Sequence, residues 1–230
     1  MTPPKLSAKK LLVASVALSA ALGLGACSSN DATASDSSSS SSTQIARPEP
    51  IATLPAIGTG GSTAVALDAD FVAALGTLGL APGTVGDATL ADGSVSFPIT
   101  GGTVTVFDKS SGYRPYVQGT LLHQNSGLSL TAGATTVELT NFTVDPGTPA
   151  RLFGDVSVNG TQAAASAPLF DLDGSTLNPI SMDATGNAVL QGTTVKLSPE
   201  AADLLNSTFS TTALAGGLVI GIATITVPTS

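Results

Sequence analysis

From residue 51 onward, short runs of alternating apolar and polar residues are separated by turn-forming pairs. A period of two is typical of β-strands that bury one face. Val95–Ile99 and Thr103–Val106 flank Gly101-Gly102, which predicts a β-hairpin. Leu152–Val158 runs into Asn159-Gly160, which predicts a second hairpin. Residues 51–230 are therefore predicted to form a single, mainly β domain, built as a sandwich or an irregular barrel.

Three further runs rich in threonine, valine and leucine are predicted strands, because these residues suit a pleated, half-buried surface. Pro98 lies inside one of the hairpin strands and has no backbone N–H to donate. It is therefore predicted to lie at a sheet edge or a bulge. The three additional strands are Thr120–His123, Gly127–Thr131 and Thr135–Val144.

Two segments near the ends of this domain resemble one another. Val65–Phe71 and Val195–Ala201 each combine a strand with a helix N-cap, Asp68 in the first and Ser198 in the second. The second segment begins 130 positions after the first. This predicts two short helices, each within a strand–helix–strand unit, one near each end of the domain. The strands that close the two units are also similar, Val85–Leu90 in the first and Ile220–Ile225 in the second.

The N-terminal segment has a different pattern. Three lysines within the first ten residues precede the apolar run Leu11–Leu24, which ends in Leu24-Gly25-Ala26-Cys27. A charged start followed by an apolar run of this length is typical of a signal peptide. The apolar run is too short to span a bilayer comfortably. The closing tetrapeptide resembles the lipobox of bacterial lipoproteins, in which small residues precede a lipid-accepting cysteine.

This resemblance implies that Met1–Ala26 is removed and that Cys27 receives a diacylglyceryl group, commonly with a further acyl chain on its new amine. Two or three acyl chains hold a protein firmly on a membrane. The expected location is the cell envelope, with lipid anchoring to the extracytoplasmic face of a bacterial membrane. An ordinary cleaved signal with an incidental cysteine is the alternative. Residues 27–50 are then the lipidated cysteine and a disordered, serine-rich tether.

Charge excludes one class of partner. The chain has 8 basic and 16 acidic residues, and the predicted leader holds three of the basic ones and none of the acids. The remaining five basic residues against sixteen acids correspond to a formal charge of −11. Nucleic-acid binding needs a cationic face, so it is not expected. Cys27 is the only cysteine, which excludes an internal disulfide and a cysteine-based metal site.

The candidate catalytic chemistry is sparse. His123 is the only histidine, and the domain has neither a G-x-S-x-G nor an S-x-x-K motif. Asp171-Leu-Asp173-Gly-Ser begins like a calcium loop but departs from that pattern after its second acid, so an Asp-Gly turn is predicted there rather than a metal site. The domain is predicted not to be an enzyme, and no cofactor is assigned. An extracytoplasmic hydrolase is kept as a lesser alternative that needs a converging carboxylate or Ser–Lys pair.

The most unusual local chemistry lies in one loop before a predicted strand. This loop, 108–116, contains Tyr113, Arg114 and Tyr116, and His123 follows within one strand. Tyrosine and arginine are enriched at recognition sites because they combine contact area with directional bonds. These four residues are the candidate contacts for a ligand or partner. The predicted role is non-catalytic, either binding an envelope protein or small ligand, or structural.

The segment Gly119–Leu130 resembles the glycine- and histidine-bearing strands of HtaA-type haem-uptake domains of actinobacterial surface proteins. It lacks the tryptophan- and tyrosine-bearing opening of that family, so no ligand residue is transferred from it. The resemblance supports an alternative function, a carrier of a small ligand such as haem or lipid. In that alternative, Tyr113, Tyr116 or His123 lies at the site, since tyrosine and histidine are both known haem ligands.

Overall fold

The computed structural model describes residues 46–229, and every strand named here belongs to one sheet. This 13-stranded sheet is antiparallel in all its pairings between strands and curls into a half-barrel, with two helices against it. The prediction of a mainly β fold is confirmed. The single curled sheet corresponds to the irregular barrel rather than to the sandwich, which would need two packed sheets.

The elements follow one another in this order along the chain. They are β1 (Ala52–Leu54), β2 (Ser62–Leu67), α1 (Ala69–Thr77), β3 (Ala81–Gly86), β4 (Thr89–Ala91), β5 (Ser94–Pro98), β6 (Gly101–Val106), β7 (Val117–Ala132), β8 (Thr135–Asp145), β9 (Arg151–Val158), β10 (Thr161–Asp173), β11 (Ser181–Met182), β12 (Ala188–Leu197), α2 (Pro199–Phe209) and β13 (Val219–Val227). No helix within the described residues is long and apolar enough to cross a membrane.

The strand order across the sheet is β1-β6-β7-β8-β9-β10-β12-β13-β2-β5-β4, with β11 paired to β12 and β3 to β7. The long strand β7 is where the sheet divides. Its first half pairs with β6 and its second half with β3, and a register shift lies between His123 and Gly127. Asn125, inside this bulge, has a positive φ of 58°. A bulge bends its strand and increases the local twist, which helps the sheet to curl.

The curl brings together strands that are distant in the sheet order. The backbone N–H of Ile99, just after β5, donates to Gly61 O at 2.9 Å, and that of Thr100 donates to Leu122 O of β7 at 2.8 Å. These bonds draw β2, β5 and β7 together at one end of the half-barrel. Pro98 is tolerated because no strand lies beside it on the β4 side. It is the last residue of β5, and the edge strand β4 pairs only with Ser94–Ser96, so Pro98 lies at a sheet edge as predicted.

The two hairpin predictions had different outcomes. Asn159-Gly160, with φ of 50° and 76°, connects β9 and β10, so that hairpin is confirmed. The hairpin across Gly101-Gly102 is wrong, because β5 pairs with β2 and β4 while β6 pairs with β1 and β7. Gly102 instead permits close approach of two backbones, since a Cβ there would collide with Thr120 O of β7. The turn that does join β5 to its neighbour β4 is Asp92-Gly93.

Both helices begin where their caps were predicted. Asp68 Oδ1 accepts the backbone N–H groups of Asp70 and Phe71, and Ser198 Oγ accepts that of Ala201 at 3.0 Å. The strands flanking the helices differ, however. β12 and β13 pair directly around α2, whereas β2 and β3 do not pair around α1. The predicted strand 85–90 is also divided, because β3 ends at Gly86. The shared order of elements therefore does not extend to a shared strand pairing.

The core consists of two clusters. The larger one lies under α2 and includes the edge-to-face ring pair Phe97–Phe142, with centroids 5.3 Å apart, and the pair Phe142–Phe170 at 6.4 Å. The smaller one is centred on Ile99 and Leu121. Because both clusters contribute residues to the inner face of the curled sheet, the space between them is enclosed by apolar side chains.

Candidate functional site

A cavity of about 560 Å³ lies inside the half-barrel, between the two core clusters. Its size falls within the range of roughly 300–1,000 Å³ that is usual for small-molecule sites. The chain has no tryptophan and only 4% aromatic residues, so small and branched side chains line the curled sheet without filling it. The apolar wall includes Val65, Val95, Phe97, Leu121, Phe142, Val144, Phe170, Leu172, Val195, Ile220 and Ile225.

His123 lines the buried end of the cavity, its base, and is only 1% exposed. Its Nδ1 is 2.9 Å from Pro98 O, and its Nε2 is 3.2 Å from Thr63 Oγ1. Since a carbonyl oxygen only accepts, the Nδ1 atom must be the protonated one, and Nε2 of the neutral ring accepts a hydrogen bond from the Thr63 hydroxyl. Burial lowers the pKa of His123, although the bond to Pro98 O opposes this shift. The base therefore holds a neutral imidazole at pH 7.

The mouth of the cavity is bordered by the mouth loop, residues 107–116, which the backbone bond from Phe107 N to Tyr116 O closes at 2.7 Å. Tyr116 lies at its end, with Lys109 Nζ 5.5 Å and Arg114 Cζ 5.6 Å from its ring centroid. These distances are typical of cation–π contacts. All three side chains line the cavity. The rim also contains two exposed apolar side chains, Ile180 and Met182.

Three of the four predicted contact residues line the cavity, at two separate positions. Arg114 and Tyr116 line the mouth, and His123 lines the base. Tyr113 lies outside the cavity lining and packs edge-on against Phe107, with ring centroids 4.9 Å apart. At a strand rise of about 3.3 Å per residue, His123 is roughly 20 Å along β7 from the mouth, so it and Tyr116 cannot contact the same small group. Cys27 lies outside the described residues.

Sequence reasoning did not identify the cavity walls. Phe97, Phe142 and Phe170 lie on β5, β8 and β10, which are far apart along the chain. Their side chains become neighbours only when the sheet curls. The sequence shows the alternation of apolar residues along each strand. It does not predict the space that these residues enclose, because that space depends on the strand order and the curvature of the sheet.

Four acidic residues that could serve catalysis each have partners of their own. Asp108 caps the short 3-10 turn of the mouth loop, and Asp155 accepts bonds from Asn141 and Ser166, which lower its pKa. Asp171 pairs with Arg151 at 3.0 Å and Asp173 with Lys196 at 2.8 Å. Between residues 46 and 229, no three His, Cys, Asp or Glu side chains form a group that could hold a metal ion.

These features define a curled antiparallel half-barrel with an internal apolar cavity. No protein-family model matches the chain, and no curated protein matches it in sequence. Its fold is similar to the crystal structure of the C-terminal domain of HtaA from Corynebacterium glutamicum, with a TM-score of 0.50 and 12% identity. That similarity covers 75% of this chain and 97% of the HtaA domain. The haem-binding protein HtaB from the same organism gives a TM-score of 0.43 at 12% identity, over 76% of this chain and 95% of HtaB.

Proposed function

We propose that this protein is a non-catalytic carrier that holds a small, largely apolar ligand, haem or a lipid, inside its half-barrel. The observation that carries the proposal is the 560 Å³ apolar cavity between two hydrophobic clusters. A sheet that served only as scaffold would gain free energy by filling this space, because interiors normally pack densely. The cavity favours a small-ligand carrier over a protein-binding or purely structural role.

Haem is the first candidate ligand. The fold is similar to an HtaA domain, and Gly119–Leu130 of β7 resembles strands of the same haem-uptake family. Two side chains in the cavity have suitable iron-binding atoms, Tyr116 at the mouth and His123 at the base. His123 already donates from Nδ1 to a backbone carbonyl, as metal-ligating histidines usually do. The Thr63 hydroxyl would have to leave Nε2 before this nitrogen could bind iron.

A lipid is the second candidate. The wall consists mainly of Val, Leu, Ile and Phe side chains, and an acyl chain needs no directional partner from them. Exposed Ile180 and Met182 continue this apolar surface to the rim, where an acyl chain would enter.

The location is part of the proposal. The lipobox-like residues ending at Cys27 support a mature chain that begins at this cysteine and is held on the outer face of a bacterial membrane by its acyl chains. Residues 27–50 then form the tether. Such a carrier would receive or deliver its ligand at the cell envelope.

Native mass spectrometry of the protein extracted from the membranes of its own host tests both parts. We expect a chain that starts at a diacylated Cys27 and a further, non-covalent mass equal to haem or a lipid. If that mass is haem, His123→Ala or Tyr116→Phe should change the absorption spectrum of the bound haem. Tyr113→Phe is the matched control, because Tyr113 does not line the cavity. An apo mass, together with no binding of added haemin or oleate, would contradict the carrier function.

A further inference from the structure

The cations of the described residues fall into two groups. Arg151 forms ion pairs with Asp171 and Glu200, and Lys196 pairs with Asp173. The other three are Arg47, Lys109 and Arg114, and none has a carboxylate oxygen of residues 46–229 within 4.0 Å. In a chain where acids outnumber bases by sixteen to eight, this segregation is unexpected. Two of these three, Lys109 and Arg114, line the cavity mouth.

Both mouth cations are held in place by contacts that leave their charge without a counter-ion. The Arg114 guanidinium donates to the carbonyl of Tyr113 at 2.8 Å and to that of Lys109 at 3.2 Å. Lys109 and Arg114 also lie against the Tyr116 ring. The nearest acid in the loop is directed elsewhere, since Asp108 Oδ1 accepts from Ser110 N at 2.8 Å and Ser110 Oγ at 2.7 Å. Those bonds lower the pKa of Asp108, which stays ionised.

The cavity therefore has a polar gradient, with two cations at its mouth and apolar side chains inside. We propose that its ligand is an amphipathic anion, whose acidic group is held by Lys109 and Arg114 on the Tyr116 ring while its apolar body fills the half-barrel. This inference rests on the proposed carrier function and adds the chemistry of the ligand. Haem, with its carboxylates, and a fatty acid both belong to this class.

The size of the effect follows from the exposure of the mouth. Lys109 and Arg114 are exposed, and exposed ion pairs are weakened by water and salt. Each cation is therefore expected to improve binding of an acid by about two- to fivefold, and the pair by roughly tenfold. The advantage should shrink as the salt concentration rises, whereas binding of a neutral ligand should not.

Matched pairs of acidic and neutral probes test this inference. The probes are oleate against oleyl alcohol, and haemin against its dimethyl ester, each titrated into the full mature chain with Cys27→Ser, which removes the anchor lipid. The variants are Lys109→Gln, Arg114→Gln and the double variant. Arg47→Gln is the control, because Arg47 also stacks on an aromatic ring, 5.1 Å from the Phe107 centroid, but does not line the cavity.

We expect the double variant to bind the acidic probes about tenfold more weakly than the parent does and to bind the neutral probes equally well. Arg47→Gln should bind all four probes with the parent's affinity. Whichever acidic probe binds more tightly, oleate or haemin, identifies the apolar part of the ligand as an acyl chain or a porphyrin. If the parent binds the acidic and neutral probes equally well, and the double variant does the same, the inference of an anionic ligand is overturned and the carrier function still stands. Failure of all four probes to bind the parent would overturn both.

Discussion

The buried His123 makes the stability of the fold depend on pH. Its folded-state pKa is below the ordinary value of 6.5 because burial disfavours the charged ring. The unfolded chain therefore binds the proton more readily. The stabilisation is complete above pH 6.5 and is lost as the pH falls from there through the lower pKa of the folded state. We expect the Tm to fall between pH 7.5 and pH 5, by about 2–4 °C for each kcal/mol lost.

The control is His123→Gln, which has no titrating group in this range. Its Tm should be lower at pH 7.5 but should change little down to pH 5. The shifted carboxylates do not interfere, because the pKa values of Asp155, Asp173 and Asp183 are all lowered, that of Asp183 to about 2. A parent protein whose Tm is the same at pH 7.5 and pH 5 would contradict the burial of a neutral histidine.

The sequence identified His123 as a candidate but not its environment. Its partners Pro98 and Thr63 are 25 and 60 positions away, on two other strands. Nothing within the neighbouring residues indicates that both ring nitrogens are occupied, because the contacts form only when β2 and β5 meet β7.

At the scale of elements, short sequence patterns predicted helix caps and turns correctly where the contacts involved are local. The cap of α2 depends on Ser198 and Ala201, three positions apart, and the turn at Asn159-Gly160 depends on two residues that accept positive φ. Gly101-Gly102 satisfies the same turn pattern. It fails as a turn because the backbone N–H groups of the two preceding residues donate to Gly61, just before β2, and to Leu122 of β7, which no short sequence window contains.

Ser198 offers a direct test of the second helix cap. Its hydroxyl is buried, accepts from Ala201 N at 3.0 Å and donates to Pro168 O of β10 at 2.7 Å. Ser198→Ala should therefore lower the free energy of unfolding by about 1–2 kcal/mol, measured by urea denaturation. Asp68→Ala removes the half-buried cap of α1, which has no bond to a neighbouring strand like that of Ser198 to Pro168 O, and should cost less. A Ser198→Ala loss no larger than that of Asp68→Ala would contradict the added role of the bond to β10.

At the scale of the whole molecule, the mainly β class followed from alternation and turn spacing, while the curvature of the sheet did not. The sheet curls because of bulges in β7, β8, β10 and β12, and because Thr100, just after β5, donates its backbone N–H to Leu122 O of β7. Each bulge is a register shift between two strands, so it is defined by a pairing and not by one strand's sequence. The cavity, and with it the proposed function, is a property of this curvature.

Filling the cavity separates its binding role from the stability of the sheet. Val104 of β6 is half-buried and lines the cavity, whereas its neighbour Thr103 is exposed and does not. Val104→Phe should weaken ligand binding by about tenfold or more, which corresponds to roughly 1.4 kcal/mol, because the ring occupies space the ligand needs. The Tm should change little, since the added ring enters open volume rather than a packed core.

Thr103→Phe is the matched control, with the same new side chain placed on the opposite face of the same strand. It should leave ligand affinity unchanged, as measured by titration with haemin and oleate. Equal affinities for the parent and Val104→Phe would mean that the ligand lies outside the half-barrel. A parallel loss of affinity in both variants would instead assign the effect to β6 itself, because only one of the two side chains reaches the cavity.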